Sequence, residues 1–180
     1  MKWVTKNYVH LDRVACPWLI TRFIDREAEF VFVPWDDQAR RPADAIPFAL
    51  TGAELGPHDE SGPTFKKILD KYKLDDPALR RIALVIKAGV DHVLHGYVPQ
   101  PADTDGQIAV GLLAVSEGMM LTNADDHEIL AASYPVYDAL YANFRAHALI
   151  ESRGLTPPQA TARTGPGPRT EFLRGLLRSR

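Results

Sequence analysis

The chain has 180 residues and a formal net charge of −2; hydrophobic residues make up 46% and charged residues 24%, as in an ordinary globular domain. This charge gives no basic field for a nucleic acid, and a single cysteine excludes an internal disulfide framework. No apolar run reaches the roughly 18 residues of a membrane span, and no signal-peptide core follows Met1. We therefore expect a soluble, cytoplasmic protein without a nucleic-acid or membrane partner.

The first 55 residues predict a small sheet and one helix. Short strands are predicted over 3–9, 29–34 and 47–50, and the second is the clearest because it is rich in β-branched and aromatic residues. Apolar residues at helical spacing predict a helix over 17–24. Pro17 suits the first position of that helix, where its missing N–H has no partner to lose.

The chain becomes helical after residue 63. Apolar periodicity predicts four helices, over about 65–72, 77–92, 107–121 and 122–153. Pro135 is expected to break or kink the last of them, because it removes an internal hydrogen bond. Three small residues of the third helix, Gly111, Ala114 and Gly118, permit a close helix contact and suggest a homodimer.

The C-terminal segment has a different composition. Gly154 is a predicted helix stop, and four prolines between 156 and 168 predict an extended tail. A short amphipathic helix is predicted over 171–178. We therefore predict an α+β fold with a small N-terminal β-sheet, a larger helical half and a Pro-rich C-terminal tail. Residues 1–154 form the single domain, and 155–180 form the tail.

The segment His10–Asp25 contains the chain's cysteine. Cys16 precedes Pro17 at the predicted helix start, where the helix dipole favours a thiolate. Arg13 favours the thiolate as well, whereas Asp12 opposes it. Cys16 is therefore a catalytic candidate, and Arg13 is a second one because a guanidinium positions oxyanions through paired hydrogen bonds. The alternative is a buried cysteine that acts as a small hydrophobic residue.

Histidines and aspartates at several places are candidate ligands for a divalent metal ion, because imidazole and carboxylate groups are common metal ligands. The predicted set is His10, Asp12, His58, Asp91 and Asp138. Local hydrogen bonds, helix caps and solvated turns are the alternative roles for these side chains. No specific signature such as HExxH, a Walker loop or GxGxxG is present.

Three groups of segments resemble the ChrB C-terminal domain family of chromate-resistance proteins. The opening motif is carried by 10–25 and 28–34, the middle motif by 52–56, His58 and 64–65, and the closing motif by 125–130 and 136–142. The resemblance covers residues 3 to 148 and identifies a stand-alone domain of this type. Lys87 stands where the family often has histidine, so a metal site that used this position would differ here.

The resemblance implies an association with chromate resistance, as a chromate-responsive regulator or an accessory protein. The resemblance implies this biological context but does not identify a chemical reaction, and three functions stay open. The first is an enzyme or redox protein with a metal beside Cys16, and the second is a non-catalytic sensor that binds chromate or another small anion. The third is an interaction protein that uses 134–141 or 172–177 to bind a partner.

Overall fold

The structure is a computed structural model that describes residues 1–179; Arg180, the last residue of the predicted tail, lies outside this description. The strands are β1 Lys2–Lys6, β2 Glu29–Val33 and β3 Ile46–Pro47. The helices are α1 Asp12–Phe23, α2 Thr64–Lys71, α3 Pro77–His95, α4 Thr104–Thr122, α5 Asp126–Arg153 and α6 Gly167–Arg178. This arrangement confirms the predicted α+β class, with a small N-terminal sheet and a larger helical half.

The three strands form one parallel sheet in the order β2-β1-β3. Trp3 in the central strand lies opposite Phe30 on one side and Ile46 on the other. Trp3 and Val4 are fully buried, as expected for a parallel strand with protein on both faces. Because all strands run the same way, their carboxyl ends meet at one edge of the sheet.

Trp18 of α1 is the centre of the helical core. Its side chain is fully buried, stacks on Phe65 of α2 and packs against Tyr137 and Tyr141 of α5. Aromatic pairs of this kind add about 0.5–1.5 kcal/mol each beyond the area that they bury. These contacts fix α1 between α2 and α5, next to the edge of the sheet.

The predicted start of α1 was wrong by five residues. The helix begins at Asp12, so Pro17 lies inside it rather than at its first position. Proline inside a helix removes one hydrogen bond, but every residue from Asp12 to Ile20 is buried, and this packing stabilises the helix in place of the missing bond. Cys16 therefore lies in the second turn, away from the free N–H groups of the helix terminus.

The later helices agree better with the prediction. α5 runs through Pro135 to Arg153, so the predicted break does not occur. Gly154 ends this helix with a φ of 58°, the left-handed conformation that glycine adopts without strain. The terminal helix α6 begins at Gly167, four residues before the predicted start.

The predicted homodimer stays a prediction. Nothing lies within 4 Å of a Cβ built at Gly111 or Gly118, so the small-residue face of α4 is open. Of the helices within residues 1–179, none is long and apolar enough to cross a membrane.

The boundary between domain and tail predicts the effect of a truncation. Helix α6 packs on α5, and Leu176 is its buried side chain. A chain shortened to residues 1–154 should therefore unfold cooperatively, with a free energy of unfolding lowered by only about 1–3 kcal/mol. Urea denaturation followed by tryptophan fluorescence measures this value. Loss of a cooperative transition would show that the tail belongs to the domain.

Candidate functional site at the carboxyl ends of the strands

A cavity of about 190 Å³ lies where the three strands end. Its side chains come from the last residue of β1, the segments that follow the strands and one face of α3. They include Lys6, His10, Arg13, Trp35, Ala49, His58, Val90 and Leu94. Ligands of parallel sheets bind at this edge, because the loops after the strands converge there.

The connection between β1 and α1 is held by the side chain of Arg13. Its guanidinium donates hydrogen bonds to the carbonyl oxygens of Lys6, Asn7 and Tyr8, at 3.1, 2.8 and 3.0 Å. The backbone here is strained, because Tyr8 and Leu11 have φ values of 56° and 44°. Arg13 thus stabilises a conformation that the backbone alone disfavours.

Two helices from the second half of the chain hold the same connection. The N–H of Leu11 donates to the hydroxyl of Ser116 in α4 at 2.8 Å, and the hydroxyl of Tyr137 in α5 donates to the carbonyl of Leu11 at 3.0 Å. The N–H of Val9 donates to the carboxylate of Asp126 at 2.7 Å. The position of His10, between Val9 and Leu11, is therefore set from three directions.

Asp12 joins α1 to α2. Its side chain is buried, and its two oxygens accept the backbone N–H groups of Thr64 and Phe65 at 2.9 and 3.0 Å. The residue before α2, Pro63, has no side-chain acceptor, so Asp12 caps this helix from a distant part of the chain. Burial raises the pKa of Asp12, and the two N–H bonds oppose that rise. Both oxygens of this predicted metal ligand are thus engaged by the protein.

Cys16 lies in the core and does not line the cavity. Its Sγ is 3.5 Å from an oxygen of Asp12 and is fully buried. Burial is the main cause that raises the pKa of Cys16 well above its ordinary value, and the nearby Asp12 carboxylate raises it further. This environment favours the neutral thiol, which is the opposite of what a nucleophile needs.

Two cations contact the ring of one tryptophan at the rim of the cavity. The Nζ of Lys6 and the Cζ of Arg13 lie 4.1 and 4.7 Å from the centre of the Trp35 ring. Burial and the charge of Arg13 lower the pKa of Lys6, and burial lowers the pKa of Arg13 to about 10. Among residues 1–179, neither cation forms an ion pair with a carboxylate.

His10 adds a neutral donor to this environment. Burial, followed by the charge of Arg13, lowers the pKa of His10, which favours the uncharged imidazole near pH 7. Its Nδ1 lies 3.4 Å from the guanidinium of Arg13. Because a guanidinium only donates, Nδ1 is the acceptor, and we assign the ring proton to Nε2.

His58 lies between this cavity and α3. Its Nε2 is 3.1 Å from the carboxylate of Asp91, and its ring centre is 6.2 Å from that of His95. One candidate ligand atom from each of these three residues lies within 4.8 Å of the others. The predicted set did not include His95. Its signal was the four-residue spacing from Asp91, which places both side chains on one helix face.

The loop that carries His58 is fixed by α2. The ammonium group of Lys67 donates to the carbonyl of Pro57 at 2.7 Å, and the hydroxyl of Thr64 donates to the carbonyl of Gly56 at 2.8 Å. These bonds start from the first turn of the helix that Asp12 caps. The His58 imidazole is therefore held on a supported loop rather than a free one.

Asp138 lies apart from the cavity, on α5. Its carboxylate accepts two hydrogen bonds from Arg22, at 2.9 and 2.8 Å, and one from the indole of Trp18 at 2.8 Å. The hydrogen bond from Arg22 lowers the pKa of Asp138 against the effect of burial. Of the predicted ligands, His10, Asp12 and His58 line the cavity, and His58 also contacts Asp91. Asp138 lies elsewhere.

A larger groove of about 560 Å³ lies between α2 and α3. Its floor is apolar, and four cations line it. Lys73 has no ion pair with a carboxylate among residues 1–179, and the other three are each paired. These ion pairs are Lys66–Asp70, Arg80–Asp75 and Lys87–Asp91, at 2.7, 2.8 and 2.5 Å. In the smaller cavity both cations lack such a partner, and they lie beside His10 at the strand ends, where ligands of parallel sheets bind. We therefore take the smaller cavity as the candidate site.

The cap made by Asp12 predicts a stability difference. Asp12→Ala leaves two buried N–H groups of α2 without acceptors and should lower the free energy of unfolding by about 2–4 kcal/mol. Asp12→Asn keeps an acceptor oxygen and should lose about half as much. Asp70→Ala, which breaks an exposed ion pair on α2, is the control and should lose less than about 1 kcal/mol. Equal losses of the free energy of unfolding for all three variants, measured by urea denaturation, would contradict the capping role of Asp12.

The burial of Cys16 predicts its reactivity. Near pH 8 the native thiol should react with a disulfide reagent such as Ellman's reagent at least about 100-fold more slowly than the thiol of the unfolded chain, since it is buried and protonated. The measurement compares rates with and without guanidinium chloride, and Cys16→Ser gives the background. Rapid reaction of the native protein would restore Cys16 as a nucleophile.

Comparison with known proteins places this fold in a family. A family profile described as "ChrB, C-terminal domain" matches residues 3–144. Protein ChrB of Cupriavidus metallidurans (strain ATCC 43123 / DSM 2839 / NBRC 102507 / CH34) is 33% identical over 144 residues, which are 79% of this chain. The match spans 40% of the length of that relative, and no solved structure matches. The chain belongs to the ChrB C-terminal domain family.

Proposed function

We propose that this domain acts in chromate resistance as a non-catalytic binding module for a small tetrahedral oxyanion, with chromate as the physiological candidate. Membership of the ChrB family supports the association with chromate resistance. The cavity at the strand ends supports the class of ligand. The observation that carries the proposal is the pair of cations, Lys6 and Arg13, that both contact the Trp35 ring and have no carboxylate partner among residues 1–179.

Lys6 and Arg13 favour an anion in the cavity, which Asp12 also lines. Burial lowers the pKa of Arg13, and burial together with the charge of Arg13 lowers the pKa of Lys6 and that of His10. A bound dianion would reverse this effect by supplying the missing negative charge. The charges of Asp126 and Asp12 raise the pKa of Arg13. Both carboxylates already accept backbone N–H groups, since Asp12 caps α2 and Asp126 accepts from Val9.

Each cation has a different part in the proposed binding. Arg13 supplies charge, while hydrogen bonds to three backbone carbonyls keep its guanidinium in place. Lys6 is the second charged donor, since no carboxylate pairs with it among the described residues, and His10 supplies a neutral N–H. A water molecule occupies about 30 Å³ in the liquid, so a cavity of about 190 Å³ holds one tetrahedral oxyanion and several waters.

The alternative of a redox enzyme that uses the thiol has less support. Cys16 lies in the core beside Asp12, and its raised pKa keeps it protonated. Reduction of chromate by this thiol would need an accessible thiolate at the cavity. Binding without chemistry therefore fits the described residues better.

The proposal predicts that Lys6 controls anion affinity. Lys6→Gln should weaken binding of sulfate and chromate at least about 10-fold, or about 1.4 kcal/mol, because a neutral amide one bond shorter replaces the charged donor. Isothermal titration calorimetry measures the affinity, and sulfate provides a tetrahedral dianion that does not oxidise the protein.

Lys2→Gln is the matched control. Lys2 lies at the other end of β1 and pairs with Asp44 at 2.6 Å, so its replacement changes the net charge equally without touching the cavity. Its anion affinity should stay within about 2-fold of the wild type, since a distant exposed charge is screened. Equal weakening in both lysine variants, or undetectable binding to the wild type, would overturn the proposal.

A further inference from the structure

We propose that His58, Asp91 and His95 form a binding site for one divalent transition-metal ion, separate from the cations that are proposed to hold the anion. This inference does not rest on the proposed function, because none of its three ligands belongs to the Lys6–Arg13 pair. It rests on the convergence of the three side chains, on the burial of His58 and on the groups that hold the three side chains in place.

The three side chains converge although they come from two parts of the chain. The Nε2 of His58 lies 3.1 Å from Oδ1 of Asp91, which is close to the separation of two ligands on one metal ion. A ligand atom of His95 lies within 4.8 Å of both of these atoms. A small inward rotation of the side chains would bring all three atoms to bonding distance from one metal ion. Ligand–metal distances near 2.0–2.2 Å are typical for such donors.

Hydrogen bonding within the protein does not account for the burial of His58. Its side chain is only 11% exposed, and its Nδ1 has no hydrogen-bond partner among the described residues. Buried ring nitrogens are normally satisfied, and an unsatisfied one costs about 1–3 kcal/mol. A metal ion at Nε2 would compensate for the burial of the ring, while Nδ1 would carry the ring proton and stay without a partner among the described residues.

Asp91 is oriented by a neighbour one turn earlier on α3. The Nζ of Lys87 lies 2.5 Å from Oδ2 of Asp91, while Oδ1 faces His58. Binding of a metal ion at Oδ1 leaves the bond to Lys87 intact. Metal-ligating carboxylates are commonly held by a second hydrogen bond of this kind, which fixes the side chain before the metal arrives.

His95 is presented by the end of α3. It is the last residue of the helix, and Gly96 follows with a φ of 67° that turns the chain sharply. Nδ1 of His92 lies 2.6 Å from the carbonyl of Tyr97 and holds the segment after this turn. The exposed position of His95 leaves one side of the cluster open, so water or another small ligand can complete the coordination.

The donor set selects the class of metal. Two imidazoles and one carboxylate suit zinc, cobalt, nickel or iron in the divalent state. Magnesium and calcium prefer sites made wholly of oxygen ligands. We therefore expect Zn²⁺ to bind and Mg²⁺ not to compete with it.

Metal titration of the full chain tests the site. One equivalent of Zn²⁺ should bind the wild type in calorimetry, and Co²⁺ should give visible absorption bands of a low-symmetry site. His95→Ala should weaken Zn²⁺ binding at least about 10-fold, because one of three ligands is lost. His147→Ala, which removes a histidine of α5 outside the cluster, should bind Zn²⁺ as the wild type does.

Lys6→Gln, the lysine variant of the anion cavity, is titrated with Zn²⁺ as well. His95 is exposed, so His95→Ala should keep the thermal midpoint of the metal-free wild type. Lys6→Gln should keep Zn²⁺ binding while it loses sulfate binding, which separates this site from the proposed function. The metal site is overturned if the wild type binds Zn²⁺ no better than Mg²⁺, or if His95→Ala and His147→Ala have equal affinities.

Discussion

The hydrogen bonds from Arg13 to the carbonyls of Lys6, Asn7 and Tyr8 are the constraint on which the rest of the structure depends. They hold the chain in a left-handed conformation between the central strand and α1, where the backbone alone would not remain. Both sides of the cavity follow from this turn, because it places Lys6 and His10. The residue that looked like an anion anchor from sequence is first a support for the backbone.

The same short segment supports the helical half. Asp12 caps α2, and α2 in turn holds the loop that carries His58 through Lys67 and Thr64. The position of His58 thus depends on a carboxylate 46 positions earlier in the chain. A change at Asp12 would act on this loop without direct contact with a ligand.

Much of the fold could be predicted because its elements carry periodic apolar patterns and end at glycine or proline. Helices α2 to α5 and the stop at Gly154 follow from these patterns. The start of α1 could not, since the preference of proline for a first turn is weaker than the packing that buries Asp12 to Ile20. The contact between His58 and Asp91 joins distant positions, which periodicity does not reveal. Only the pairing of Asp91 with His95 was readable, from their spacing.

His58 lines the cavity and also contacts Asp91 through its Nε2. An imidazole shared in this way links the two proposed occupants thermodynamically. If a metal ion changes the affinity for the anion by some factor, the anion changes the affinity for the metal by the same factor. Through the shared ring, the affinity of this domain for an oxyanion would then depend on the metal supply of the cell.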